Sequence, residues 1–306
     1  MQAREHRSFR VTNHRILLRE TVVSYVFLLP AVLFFALFVL TPILRGIWTS
    51  FYDYGLSTYR FIGFGNYREL FHDAIFLKSV LNTVLIVVGT VPLILLFSLY
   101  VANSIYLKNA LVRSFFRVVF YLPVVTGTVS VIVVWRFIFD PFTGVLNHVL
   151  NALGLIGGNI QWLGDKRFAM PAIMLVLLTT SIGQPIILYV ASLGNIPSAL
   201  LEAAEIDGAS NAQIFRHIKW PLLMPTTLYI VVISTINSFQ VFSLIQLMTS
   251  GGPFFATSTV MYLLYQTAFE GVPRFGYANA MGVLLALVIT LFSTAQFKAF
   301  SRDVSY

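Results

Sequence analysis

The chain has 306 residues, 58% of them hydrophobic and only 10% charged, with a mean hydropathy of +0.82 and a formal net charge of +8. So apolar a composition at this length excludes a single soluble domain, and the solvent of this protein is lipid. There is no cysteine, which excludes disulfides, thiolate metal sites and a cysteine-linked lipid anchor.

Residues 1–21 form a basic tail carrying Arg4, Arg7, Arg10, Arg15 and Arg19. The rest, 22–306, reads as one transmembrane domain. A span needs about 20 mainly apolar residues, and the first such run is Val22 to Thr41. It has the basic start of a signal peptide. Its length exceeds the usual apolar core of one, however, and it continues through Pro42 to Trp48 with no small-residue cleavage pattern, so a retained helix is expected. Further spans are expected at Ser79 to Ala102, Phe116 to Phe139, Phe168 to Leu193, Leu222 to Met248 and Tyr277 to Phe297, about six in all. Each should be helical, because backbone polar groups in hydrocarbon must be satisfied within the segment. None alternates in polarity as a barrel strand would. The fold class is an all-α polytopic membrane protein.

Thr90-Val91-Pro92 and Gly183-Gln184-Pro185 interrupt two of these runs. Proline is common in spans and kinks them, so we read kinks here rather than broken helices at a binding site.

Two outer loops separate the early spans. Ser50 to Lys78 contains Phe51-Tyr52-Asp53-Tyr54 and Phe64-Gly65-Asn66-Tyr67, and Asp140 to Arg167 is rich in Gly and Asn. Both are too short for an independent domain. Their aromatic residues read as an interfacial belt, with a docking surface for an external partner as the alternative.

Orientation follows from Lys and Arg. Besides the tail, one side carries Lys108, Arg113, Arg117, Arg216, Lys219, Lys298 and Arg302. The other carries Arg45, Arg60, Arg68, Lys78, Arg136, Lys166, Arg167 and Arg274. The compact basic tail and second loop place both termini in the cytoplasm. The net charge is thus explained by membrane flanks and does not indicate nucleic acid.

The spans contain no Asp, Glu, Lys, Arg or His apart from Arg117 and Arg136 near their ends, which argues against a proton relay. No G-x-x-x-x-G-K-[ST], H-E-x-x-H or G-x-S-x-G pattern occurs. No catalytic residues and no metal site are expected, and any pumping must draw its energy from another chain.

One polar island breaks the apolar pattern, at about 195–221. Pro197 suits the first turn of a helix, Glu202 and Glu205 share a face, and Gly208 is placed to end that helix in a left-handed cap. Ser210 and Gln213 form an S-x-x-Q capping box for a second short helix. This helix runs through Ile214, Phe215 and Ile218 to stop near Pro221. Leu201, Ala204, Phe215 and Ile218 would offer an apolar face to a partner's groove.

Glu202-Ala203-Ala204, Gly208 after three residues, then nine residues and Ile218-Lys219-Trp220-Pro221, resembles the EAA loop of permease subunits in binding-protein-dependent ABC importers. Trp220 stands where that family has leucine. Arg117 with Tyr121-Leu122-Pro123, Trp135, Gly144-Val145-Leu146-Asn147, Thr249-Ser250-Gly251-Gly252-Pro253, and Pro42 with Gly65-Asn66-Tyr67 are similar to the maltose and glycerol-phosphate type of these permeases. The resemblance covers about 25–300.

It implies an ABC importer permease fold in a bacterial inner membrane. A second permease subunit that is a different chain, making a heterodimer, two cytoplasmic ATPase subunits holding ATP and Mg, and an extracytoplasmic solute-binding protein would be its partners, with no cofactor on this chain. It also implies that the island is a coupling helix seated on the ATPase through Glu202, Ala203, Ala204, Asp207, Gly208, Phe215, Ile218 and Pro221. Glu202 would pair with a basic group there. The cargo would be a mono- or oligosaccharide; a non-sugar solute, or an ion-coupled carrier, are the alternatives.

A saccharide site in a membrane needs a few neutral hydrogen-bonding groups and aromatic faces in an apolar wall. Asn237, Gln240 and Ser243, with Phe239 among them, Gln184 in the fourth span, and Tyr277 and Asn279 in the sixth fit that description. Ser and Thr elsewhere in the spans, such as Thr179 and Thr180, are read as bonding to their own helix backbone.

Overall fold

A computed structural model describes residues 14–300, with side chains from 21 to 299. Of the tail expected over residues 1–21, residues 1–13 lie outside the described residues, and helix already begins at His14. α1 (His14–Phe35) passes through a π-helical turn (Ala36–Leu40) into α2 (Thr41–Thr49). The first span is therefore longer than the run Val22 to Thr41. The turn precedes Pro42, which has no N–H to give, and Thr41 instead bonds through both its N–H and its Oγ1 to the Ala36 carbonyl.

The first outer loop is ordered. It holds an antiparallel hairpin of β1 (Tyr52–Tyr54) and β2 (Tyr59–Phe61), with Asp53 opposite Arg60, followed by α3 (Gly65–Leu70). The buried Asn66 amide donates to the carbonyls of Ser50 (2.8 Å) and Tyr52 (2.9 Å), closing the loop on itself. Arg274 then ties it to the last helix by two 2.7 Å bonds to the Glu69 carboxylate, and these bonds hold the guanidinium above its ordinary pKa.

α4 (Ala74–Ile105) is capped by Asp73, whose Oδ1 accepts from the N–H groups of Ile75 (2.8 Å) and Phe76 (3.3 Å). It is unbroken at Pro92 and lies at the centre of the molecule. Ile94, Ile86 and Val87 on α4 each belong to a different buried apolar cluster.

α5 (Ala110–Val125) and α6 (Thr128–Ile138) meet at 99°. This corrects the expectation of one continuous third span over Phe116 to Phe139. Gly127 between them has φ +85°, a conformation that ends a helix, and an apolar-run count does not register it. α7 (Val145–Ala152) follows in the second outer loop, where the Asn147 side chain bonds Pro141, Ile160 and Trp162. There Arg167 holds the Asp165 carboxyl down to about 2 through side-chain and backbone hydrogen bonds.

α8 (Ala169–Ser181) and α9 (Gly183–Gly194) bend by 42°. The kink read at Gly183-Gln184-Pro185 is there, and its cause includes packing. A Cβ on Gly183 would overlap the Phe120 carbonyl oxygen, so glycine lets α5 lie against α9.

α10 (Ser198–Ile206) and α11 (Asn211–Ile214) form the polar island; α11 continues through a π turn (Phe215–Lys219) into α12 (Trp220–Phe239). The chain then breaks at 240–242 before α13 (Ser243–Met248). This corrects the expected single fifth span Leu222 to Met248. α14 (Val260–Phe269), which the sequence reading did not anticipate, precedes α15 (Phe275–Phe300). Among the described residues four helices are long and apolar enough to cross a membrane, or six if each bent pair is one span.

Buried polar groups staple the helices. Asn82 on α4 donates to the carbonyls of Phe255 and Ser258, both at 2.9 Å, Thr83 Oγ1 accepts from the Val260 N–H (3.0 Å), and Gln296 on α15 donates to Thr235 on α12 (2.8 Å). The first two fix a loop in which Ser250, Phe254 and Phe255 have positive φ.

Candidate functional site

The island is built to hold its shape. α10 ends in a Schellman motif: Gly208 has φ +77°, its N–H reaches the Glu205 carbonyl (3.0 Å), and the Ala209 N–H reaches the Ala204 carbonyl (2.9 Å). Two residues later the capping box closes, with the Ser210 N–H donating to Gln213 Oε1 (2.8 Å) and the Gln213 N–H to Ser210 Oγ (3.4 Å). Pro197 takes the N-cap position of α10, one place earlier than its first turn.

The expected second short helix does not stop near Pro221. The backbone is helical without interruption from Asn211 to Phe239, because the π turn just before Pro221 shifts the bonding pattern so that the Trp220 N–H finds the Phe215 carbonyl. The island is thus one short helix hinged by a rigid glycine cap to the first turns of the fifth span. Ile214 is buried, and Phe215 and Trp220 pack against a core that includes Tyr189 and Leu223.

That packing changes which residues face outward. Glu202, Ala203, Glu205, Asp207, Gly208 and Pro221 are exposed, while Ala204, Phe215 and Ile218 are half-buried. The reading that Phe215 is offered to a partner gives way to one in which it anchors the island to its own chain. The apolar residue presented instead is Ile206, 86% exposed, with Leu200 on the same helix. Its signal was an aliphatic side chain just before Asp207-Gly208, in a turn otherwise polar. Glu202, Glu205 and Asp207 have no ion pair among the described residues, where the two pairs are Asp165–Arg167 and Glu69–Arg274.

The residues singled out as saccharide contacts divide. Asn237, Gln240 and Ser243 are exposed and flank the break between α12 and α13, and Gln184 is exposed on α9. Gln246, one turn into α13, has a buried side-chain oxygen with no hydrogen-bond partner among the described residues. Phe239 is buried edge-on to Phe292 at 5.4 Å. Tyr277 is buried and donates its hydroxyl to Asp73 (2.8 Å), and Asn279 donates to Thr49 Oγ1 (2.7 Å). These last three brace the packing of α15. Thr179 and Thr180 bond back to Val176, as expected of span threonines.

Residues 75–306, from the second residue of α4 onward, match the family described as "Binding-protein-dependent transport system inner membrane component". The chain belongs to this family. As an inner membrane component it is 36% identical over 287 residues to the probable ABC transporter permease protein YurN of Bacillus subtilis, covering 92% of this chain and 97% of that one. It is 31% identical to the lactose transport system permease protein LacF of Rhizobium radiobacter, over 90% and 93% of the two chains. It is also 36% identical to the diacetylchitobiose uptake system permease protein NgcF of Streptomyces coelicolor, over 86% and 78%. Its fold matches a chain of the bacterial alginate ABC transporter solved with an alginate pentasaccharide-bound periplasmic protein, with a TM-score of 0.78 and 25% identity over 92% of this chain and 96% of that chain.

Proposed function

We propose that this chain is one of two permease subunits lining the pathway of an ABC importer for a mono- or oligosaccharide, with both termini and the island in the cytoplasm. Two ATPase subunits supply the energy by hydrolysing ATP with Mg, an external binding protein delivers the solute, and this chain does no catalysis. The observation that carries the reading is the unbroken helix from Asn211 to Phe239, which joins an exposed acidic helix to a membrane span. Tilting of the island on an ATPase surface would be transmitted to Asn237 and Gln240 at the far end of the same rod, the kind of rigid-body gating that alternating access requires.

The cargo is inferred from three relatives named for lactose, diacetylchitobiose and alginate, and from the chemistry at the α12–α13 break. Neutral amides and a hydroxyl suit sugar hydroxyls, which donate and accept but carry no charge.

The test is to copurify the chain with its partners, reconstitute it in liposomes, and screen saccharides for stimulation of ATP hydrolysis in the presence of the cognate binding protein. Stimulation by one saccharide, lost on Glu202→Lys with the permease still in the membrane, supports the reading. Hydrolysis still stimulated in Glu202→Lys would remove the island's role.

A further inference from the structure

The loop after α13 holds two consecutive aromatic residues, Phe254 and Phe255, at φ +50° and +58°. Residues other than glycine avoid this left-handed region, and strain of this kind, enforced by the surroundings, collects at ligand sites. The enforcing bonds here all run to the main chain. Lys78 Nζ donates to the Phe254 carbonyl (2.7 Å), Asn82 to the Phe255 carbonyl (2.9 Å) and Thr257 Oγ1 to the Gly252 carbonyl (2.7 Å). The Phe254 side chain is nevertheless 85% exposed. The loop thus holds one aromatic face outward and fixed.

That residue borders a groove. A cavity of about 510 Å³ lies between this loop and the second outer loop, lined by Phe254, Asn159, Gln161, Asp165, Arg167 and Phe168 among others. Small-molecule sites commonly have about 300–1,000 Å³. Asp165 accepts from Arg167 Nη2 (2.8 Å) and Nε (3.2 Å), and the guanidinium lies 5.6 Å from the centre of the Phe168 ring, so the pair is held in place while Nη1 has no acceptor among the described residues. Asn159 Oδ1 accepts from Asn151 (3.2 Å), and neither the Asn159 N–H groups nor the Gln161 amide has a bond among those residues. An aromatic face, two neutral amides and a fixed donor–acceptor pair are what a pyranose ring needs, since its face is C–H and its rim is hydroxyl.

We propose that this groove is an outer subsite for one pyranose unit of the solute, its ring against Phe254 and its hydroxyls bonded to Asn159, Gln161 and the Arg167–Asp165 pair. The proposal rests on the saccharide-importer reading and adds to it a site separate from the α12–α13 break. The two places are linked. Only α13, six residues long, separates the loop from the break, and Thr259 Oγ1 at the loop's end donates to the Val241 carbonyl within the break (3.1 Å). A saccharide arriving from outside would meet the groove first and the break second.

The experiment is saturation-transfer difference NMR on the assembled transporter in nanodiscs, without binding protein, titrated with lactose, diacetylchitobiose or an alginate pentasaccharide. At least one should bind wild type with its ring protons saturated. Phe254→Ala should weaken that binding about tenfold, Phe254→Trp should keep it, and Gln161→Ala should weaken it about threefold. Phe142→Ala, which removes an exposed aromatic of the second outer loop outside the groove, should leave it unchanged. The bonds that hold the loop use its main chain, so Phe254→Ala should still assemble, and copurification of the ATPase checks this. If it does not assemble, Gln161→Ala and Phe142→Ala decide. Binding to none of the three saccharides overturns the proposal, as does equal binding in wild type and Phe254→Ala; hydrolysis still stimulated by a saccharide would then leave the importer reading standing. Hydrolysis stimulated by no saccharide overturns the importer reading itself, whatever the groove binds. Weaker capture of the binding protein by Phe254→Ala, with saccharide binding unchanged, would assign Phe254 to a protein contact and overturn the subsite.

Discussion

The N–H of Trp220 bonds to the carbonyl of Phe215, five residues back, and this one shifted bond carries the helix past Pro221. The polar island and the fifth span are consequently one rod from Asn211 to Phe239. A loop that only touched a partner could flex; this one cannot move without moving a membrane helix.

Gly208 sets the angle between α10 and that rod. At φ +77° an L-residue costs about 1–2 kcal/mol, more if β-branched. Gly208→Val should therefore reduce solute-stimulated ATP hydrolysis about tenfold. The amount of chain in the membrane should not change, which immunoblotting of membranes checks alongside the hydrolysis assay.

At the α12–α13 break, Asn237→Ala and Gln240→Ala should each reduce solute uptake about tenfold, the loss expected for a hydrogen bond of about 1.5 kcal/mol. Copurification of the ATPase should be unaffected. Normal uptake in both would make these side chains structural.

Gly183 permits the contact of α9 with α5. In Gly183→Ala the new methyl meets the Phe120 backbone, which cannot rotate aside, and overpacking of this kind costs about 1–3 kcal/mol. The melting temperature in detergent should fall. Gly194→Ala is the control, because a Cβ there meets nothing within 4 Å.

Asn82→Leu would leave the Phe255 and Ser258 carbonyls without their side-chain donor, at about 1–3 kcal/mol for each group left unsatisfied. The loop from Thr249 to Ser258 should then exchange amide hydrogens faster, while exchange in α10 stays as in wild type.

Hydropathy located each membrane segment but not its continuity. Gly127 and the 240–242 break lie inside apolar stretches, so an apolar-run count passes over them, yet one turns the chain by 99° and the other ends α12. The capping box at Ser210 and Gln213 and the glycine cap at Gly208 were legible because both are local, fixed by bonds within six residues. The exposure of Ile206, the inward turn of Phe215 and the engagement of Tyr277 by Asp73 were not. Each depends on a residue or cluster brought up from elsewhere in the chain, as Asp73 and Tyr277 show from opposite ends of it.

The claim that the island and the fifth span form one rigid lever is most directly tested by a distance. The chain has no cysteine, so spin labels can be placed at Ala212→Cys on the island and Tyr229→Cys on the span, both exposed positions. Seventeen residues of continuous helix place their backbones about 25 Å apart. Pulsed electron–electron resonance on the assembled transporter should give one narrow distribution near that value, the same without nucleotide and with ATP and vanadate. A broad distribution, or one that shifts with nucleotide, would contradict the lever.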